Sequence, residues 1–193
     1  MRYCPVNAVA TSIVLIGMMG AGKSSVGTCL QRRTALALFD TDDIVASKFG
    51  LSIPEIFSKH GEKKFREAET QALRQLSETK RAIIVTGGGI VLRHENLQIL
   101  KRLGLTVWLD GNEEALFERA SRSGNRPLLQ VKSPRRSFAR MLQARQPLYG
   151  SVADVRVDTS MLTDEEVALA ILSKLGRVGA NPPPELPMPA TAR

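Results

Sequence analysis

The sequence predicts an α/β domain whose mainly parallel sheet is covered by helices on both faces. Two patterns carry that prediction. Short apolar runs of strand length recur along the chain, and stretches with helical periodicity separate them. The runs at residues 12–16 and 82–85 are almost wholly aliphatic. They lack the polar alternation of a strand with one wet face, so both faces are expected to be buried.

The elements follow in order. Residues 12–16 form a strand that ends at Gly17; residues 17–22 form a turn and residues 23–33 a helix. A second apolar run at residues 37–39 ends at Asp40, and residues 42–49 and 53–60 are helical. Residues 61–78 give the clearest helix, with Phe65, Ala68, Ala72 and Leu76 on one stripe and charges opposite. A strand at residues 82–85 runs into Gly87, Gly88 and Gly89. A helix at 96–102, a strand at 105–109 carrying Trp108 into the core, and a helix at 113–121 come next. Residues 122–133 mix Gly and Pro with basic residues and read as a mobile loop, followed by a basic helix at 134–146. The last strand is at 155–157, and Thr163 caps the last helix, which runs to Leu175. The expected domain spans residues 12–176, between a short N-terminal extension at 1–11 and a disordered Pro/Ala-rich tail at 177–193.

Composition narrows the function classes. Cys4 and Cys29 are too few for a disulfide framework or a zinc site, and His60 and His94 are too few for a histidine-rich metal cluster. No apolar stretch is long enough to span a bilayer. Residues 8–22 run straight into a glycine-rich loop and Lys23, so they read as strand plus turn rather than as a secretion signal. A cytoplasmic protein with reduced thiols is expected. The net charge of +8 is concentrated: Arg119, Arg122, Arg126, Lys132, Arg135, Arg136, Arg140 and Arg145 occur with no acid among them. Such a block suits either an anionic partner or a solvated basic face.

The chemistry-bearing motif is Gly17-Met18-Met19-Gly20-Ala21-Gly22-Lys23-Ser24, which fits the pattern G-x-x-x-x-G-K-[ST]. Small residues let backbone N–H groups curl around phosphate oxygens, and the following helix aims its unpaired N–H groups at the same anion. In this pattern Lys23 bridges the β- and γ-phosphates and the Ser24 hydroxyl ligates Mg²⁺. The base-reading N-K-x-D stretch of a GTPase is missing, and the strand at 82–85 ends in glycines rather than an acid. Asp40, at the end of the second strand, is then the candidate second acid for the metal, because strand ends of a parallel sheet converge on the ligand crevice.

With the phosphate loop stand four further motifs. They are Phe39-Asp40-Thr41-Asp42; Gly61-Glu62 with Phe65-Arg66 and Glu69; Gly87-Gly88-Gly89; and Arg126-Pro127-Leu128-Leu129 followed by Arg145 and Pro147-Leu148-Tyr149. In this order and spacing the chain resembles the shikimate kinase family over residues 12–175. The resemblance implies a three-layer P-loop NTPase-like fold, with a five-stranded parallel sheet and a mobile lid at about residues 122–134. It implies transfer of the γ-phosphate of ATP to the 3-hydroxyl of shikimate with Mg²⁺, by a cytoplasmic monomer that needs neither nucleic acid nor membrane. The implied nucleotide contacts are Gly17, Met19, Gly20, Ala21, Gly22, Lys23, Ser24, Ser25, Arg119 and Arg126, with Arg122 as an alternative to Arg119 at adenine. Asp42, Arg66, Gly87, Gly88, Gly89 and Arg145 are implied to hold shikimate, with Glu69 orienting Arg66, and Ser24 and Asp40 to serve Mg²⁺. Lys23, Asp42 and the lid residue Arg126 are the implied catalytic groups. For Asp42 a helix N-cap role stands as an alternative, and for Arg66 a surface ion pair with Glu62 or Glu69. Asp43 has no assigned role. Two other functions compete: a related kinase of another small metabolite, and a non-catalytic sensor domain of similar fold. Only 11 residues precede the first strand, too few for a helix-turn-helix.

Overall fold

The computed structural model describes residues 11–122 and 131–178, with side chains described as far as Leu175. Arg126, most of the expected lid and the expected tail beyond residue 178 lie outside the described residues.

Five strands form one parallel sheet in the order β2-β3-β1-β4-β5. They are β1 (Ile13–Ile16), β2 (Ala37–Asp40), β3 (Ala82–Val85), β4 (Leu105–Asp110) and β5 (Val155–Asp158). The three inner strands are buried at every position, as the aliphatic runs of β1 and β3 require, whereas β2 and β5 form the partly exposed edges. Among the described residues seven α-helices accompany them: α1 (Lys23–Thr34), α2 (Thr41–Phe49), α3 (Ile53–Leu76), α4 (His94–Leu103), α5 (Glu113–Arg122), α6 (Pro134–Val152) and α7 (Asp164–Val178). Helices α1 and α7 pack together on one face of the sheet, and α4 and α6 pack on the other. β1 lies between β3 and β4, which places its C-terminal end at the topological switch point, where a parallel sheet opens a crevice. Among the described residues, no helix is long and apolar enough to cross a membrane.

A second small core supports the region beside the crevice. Val45 and Ile56 pack there with Phe65, Ala68 and Ala72, joining α2 to α3. α3 starts with a capping box, in which Ser52 N–H donates to Glu55 Oε2 at 2.9 Å.

Three expectations about elements need correction, and one break falls where it was expected. The two helices expected at 53–60 and 61–78 are both present within α3, separated by a kink at Gly61 where φ is 76° and ψ is 166°. The basic helix does not stop at residue 146 but runs through Pro147 to Val152. Its buried stripe of Phe138, Leu142, Arg145, Tyr149 and Val152 continues past the proline, and that packing outweighs one lost helix hydrogen bond. The cap of α2 is Asp40, not Asp42: Asp40 Oδ1 accepts from Asp42 N–H at 2.9 Å. α7 continues three residues past its expected end at Leu175, and Thr163 caps it reciprocally with Glu166, as expected.

Candidate active site

The loop after β1 is shaped by glycines that no other residue could replace. Gly17 has φ 143°, and a Cβ there would lie 2.3 Å from the Leu109 carbonyl oxygen. Gly20 has φ 85°, and its Cβ would lie 2.1 Å from Leu116 O. The α1 N-terminus begins after left-handed Gly22 and has no side-chain cap, so its backbone N–H groups face the crevice. Lys23 Nζ folds back over the loop and donates to Gly17 O at 2.8 Å and Met18 O at 3.0 Å. Its ammonium is therefore held over the cradle that the loop forms.

Beside it, Ser24 Oγ donates to Asp40 Oδ2 at 3.5 Å. Burial pushes the Asp40 carboxyl up to about 6, and the Asp42 and Asp43 carboxylates add to the shift against the pull of Asp42 N–H and Lys23. A hydroxyl next to an under-solvated carboxylate suits a hard divalent cation that keeps most of its own waters. Among the described residues no three or more His, Cys, Asp or Glu side chains form an all-protein metal cage. The pair Ser24 and Asp40 therefore fits Mg²⁺ carried in with phosphate oxygens, and does not fit a tightly caged metal.

A cavity of about 690 Å³ opens over the loop. It is lined by Met19, Gly20, Gly22, Lys23, Ser24, Ser25, Asp40, Asp42, Gly87, Gly88 and Arg119 from the expected set. Gly17 and Ala21 lie buried beneath it. Arg119 is anchored to the far wall, donating to Thr159 O at 2.8 Å and Ser160 O at 3.1 Å. Arg122 instead points out to solvent, beside Glu118, so of the two arginines Arg119 faces the cavity. Asp43 lines a separate groove with Ser47, Lys48 and Gln75.

The glycine turn forms the other wall. It touches the phosphate loop: a Cβ on Gly88 would come 3.3 Å from Met19 N. Gly87 N–H donates to Thr41 Oγ1 at 3.2 Å, which ties the turn to α2. Behind the turn, Arg66 and Arg145 are 8% and 6% exposed, so neither is a solvated surface charge. The Arg66 guanidinium occupies the space of a Gly89 Cβ, which would lie 2.2 Å from Nη1. At Gly87 a Cβ would lie 2.6 Å from Asp42 Oδ1 and 2.8 Å from Glu69 Oε1. At 87 and 89 a larger residue would therefore have to displace charged side chains that crowd the backbone, while φ itself is ordinary. Arg145 Nη1 donates to Gly88 O at 3.2 Å. Both arginines consequently flank the same turn.

Arg66 is held by two acids, Glu62 and Glu69. Glu69 is fully buried, and its carboxyl is pushed up to about 7, mainly by burial, with the Arg66 charge offsetting part of the shift. Burial alone would lower the Arg66 pKa, but Glu69 and Glu62 raise it overall, so the guanidinium stays charged.

Sequence reasoning did not assign three parts of this site. Thr86 lines the cavity, and its hydroxyl bonds Leu15 O at 2.9 Å. Leu162, Thr163 and Asp164 close the side near Arg119. Tyr149, noted only as part of a motif, donates to Gly88 O at 2.5 Å. The signal for Tyr149 was its position four residues after Arg145, on the same helical stripe. The loop at 159–164 showed in the sequence only its helix cap, Thr163, because it reaches the site through the pairing of β5 with β4 and the packing of α7 on α1.

A glycine-rich loop with Lys23 over it, at the end of the central strand of a parallel sheet in this order, defines the P-loop kinase class. The family model described as shikimate kinase matches residues 19–176. The shikimate kinase of Thermodesulfovibrio yellowstonii is 43% identical over 167 residues, covering 86% of this chain and 96% of its own. That of a Synechococcus strain is 43% identical over 175 residues, covering 89% of this chain and 92% of its own. The structure of the Acinetobacter baumannii shikimate kinase in complex with shikimate superposes with a TM-score of 0.87 at 35% identity, covering 92% of this chain and all of that one. The chain belongs to the shikimate kinase family, and it is an ATP-dependent kinase.

Proposed function

We propose that this chain transfers the γ-phosphoryl group of ATP to the 3-hydroxyl of shikimate, giving 3-phosphoshikimate and ADP, in the cytoplasm and as a monomer. The observation that carries the reading is the contact between the phosphate loop and the glycine turn at Gly88. It sets a triphosphate cradle directly against two buried guanidinium groups.

In this reading the backbone N–H groups of residues 17–25 and Lys23 hold the phosphates, while Arg119 packs against adenine. Arg66 and Arg145 grip the shikimate carboxylate, because a planar guanidinium makes paired hydrogen bonds to it. Backbone N–H groups of Gly87, Gly88 and Gly89 complete the acceptor pocket. Asp42 accepts a hydrogen bond from the attacking hydroxyl, orients it in line and takes up its proton as the new oxygen–phosphorus bond forms. Lys23 and Arg126 neutralise charge on the transferring group and on the leaving ADP oxygen. Ser24 and Asp40 would hold Mg²⁺, which supplies further charge neutralisation at the phosphates when bound. Phosphoryl transfer demands mainly positioning and electrostatics, and these residues supply both. The catalytic unit is residues 12–176, with the lid at about 122–134.

ADP release measured with ATP, Mg²⁺ and shikimate tests the reading. Shikimate-dependent turnover, absent with gluconate or a nucleoside monophosphate in its place, is the expected result. A chain that binds ATP but turns over none of the three acceptors would instead favour a sensor.

A further inference from the structure

The donor fork of Arg66 is already in use. Glu69 Oε2 accepts from Nη1 at 2.7 Å, while Glu62 Oε1 accepts from both Nε, at 3.2 Å, and Nη2, at 3.0 Å. The two acids differ in what release would leave behind. Glu69 is fully buried and its Oε1 has no hydrogen-bond partner, so losing Arg66 would strand the whole carboxyl group in the interior. The Glu62 side chain is 55% exposed, and water takes over when it swings away. Glu62 also directly follows the break at Gly61, so it opens the second half of α3. There the exposed helix N–H groups stabilise a negative charge whether or not Arg66 is bound.

The edge that Glu62 fills has a particular value. Nε and Nη2 together form a side of the guanidinium that grips a carboxylate through parallel hydrogen bonds. Nη1 is taken by Glu69, and Gly89 abuts the group closely enough that a Cβ would lie 2.4 Å from Cζ. Little else of the fork remains for an incoming carboxylate.

We propose that Glu62 is a displaceable latch: it holds the Arg66 fork in the resting chain and competes with the acceptor's carboxylate for the Nε/Nη2 edge. Glu69 is the permanent brace and Glu62 the removable one. This rests on the reading of Arg66 as the acceptor's anchor. A latch of this kind lowers apparent affinity by the fraction of molecules in which it is closed. A half-exposed i,i+4 ion pair is weak, so that factor is about two- to fivefold.

The test is titration calorimetry of shikimate into the wild-type, Glu62→Gln and Glu62→Ala chains, with melting temperatures as a check on folding. Both folded variants are expected to bind shikimate about two- to fivefold more tightly than wild type, with the change in steady-state kinetics falling on KM. The advantage should shrink as added salt weakens the wild-type pair. A residue that merely orients Arg66 would move affinity the other way. Equal or weaker binding by folded Glu62→Ala overturns the latch and leaves the acceptor reading standing. If the wild-type chain binds ADP but not shikimate, the acceptor reading falls and the latch falls with it.

Discussion

The phenol of Tyr149 donates to the carbonyl oxygen of Gly88 at 2.5 Å, and Arg145 donates to the same oxygen at 3.2 Å. One backbone atom thus ties α6 to the glycine turn. Tyr149 is fully buried, and burial first of all pushes its pKa up to about 12, so it remains a neutral donor. Tyr149→Phe removes one of two donors but leaves the carbonyl bonded to Arg145. The expected loss of stability is about 1 kcal/mol, seen as a melting temperature lower by a few degrees. Arg145 also loses its neighbour on the shared oxygen, so KM for shikimate should rise. An unchanged melting temperature would show that the phenol braces nothing.

The glycine turn offers a sharper separation of the two half-sites. Gly89→Ala would drive a methyl group into the Arg66 guanidinium, and Gly87→Ala would drive one between the Asp42 and Glu69 carboxylates. Neither position has a left-handed φ, so the strain falls on the charged side chains and not on the backbone. Both variants should lose shikimate affinity by tenfold or more, while binding of ADP·Mg²⁺ stays within about twofold, on the order of an overpacking penalty of 1–3 kcal/mol confined to one wall. Calorimetry with each ligand in turn checks this; equal losses for both would mean that the turn serves the phosphate loop as well.

These contacts show where sequence reasoning reached its limit. The strand, loop and helix at residues 13–34 were legible because strand, glycine turn and helix start are all local signals. Gly61 correctly marked the break between two helices, and Phe65, Ala68 and Ala72 beyond it bury against α2. Pro147 misled: its local penalty is real, but Tyr149 and Val152 beyond it are core residues. In the site, the pairing of Arg66 with Glu62 and Glu69 was open to helix periodicity alone. That Glu69 would be entirely buried, and crowd Gly87, depended on how α3 packs beside the end of β3, which no local pattern encodes.

Glu69 gives the fold a pH dependence of known sign. Its carboxyl is pushed up to about 7 in the folded chain from an ordinary 4.5, chiefly by burial. Between those values the folded state holds a proton that the unfolded state has released, so unfolding releases a proton and stability falls as pH rises. The contribution is fully present below about 4.5 and is lost through about 7. Glu69→Gln has no such proton. Melting temperatures of the wild type and Glu69→Gln, compared across this range, should diverge in favour of the variant as pH rises, with a slope of at most about 1.4 kcal/mol per pH unit. Parallel curves would show that Glu69 is ionised throughout.

Lys23→Ala and Asp42→Ala test the chemistry apart from the fold. Lys23 bonds two carbonyls of its own loop, and Asp42 lines the open cavity, so neither is part of the core. Each substitution should lower kcat by about a hundredfold or more, the scale for removing one group that stabilises the transition state. Melting temperatures should stay within a few degrees of wild type. Stopped-flow or coupled measurement of ADP release reads the first quantity and thermal denaturation the second. Near-normal turnover from either variant would remove that residue from the catalytic set.

Arg145→Lys separates a clamp from a mere positive charge. The lysine keeps the charge but has a single ammonium in place of a planar fork, so it cannot bond Gly88 O and grip a carboxylate side-on together. Position 145 is 6% exposed, which leaves the ammonium little water to replace the missing partners. The variant should therefore raise KM for shikimate by about tenfold or more, the value of one charge-assisted hydrogen bond, while KM for ATP changes little. Tyr149 still holds Gly88 O, so the turn itself should survive, and the melting temperature should fall less than in a variant that removes both donors. Steady-state kinetics with each substrate varied in turn distinguishes the cases. An unchanged KM for shikimate would mean that Arg145 supports the glycine turn and leaves the acceptor's carboxylate to Arg66 alone.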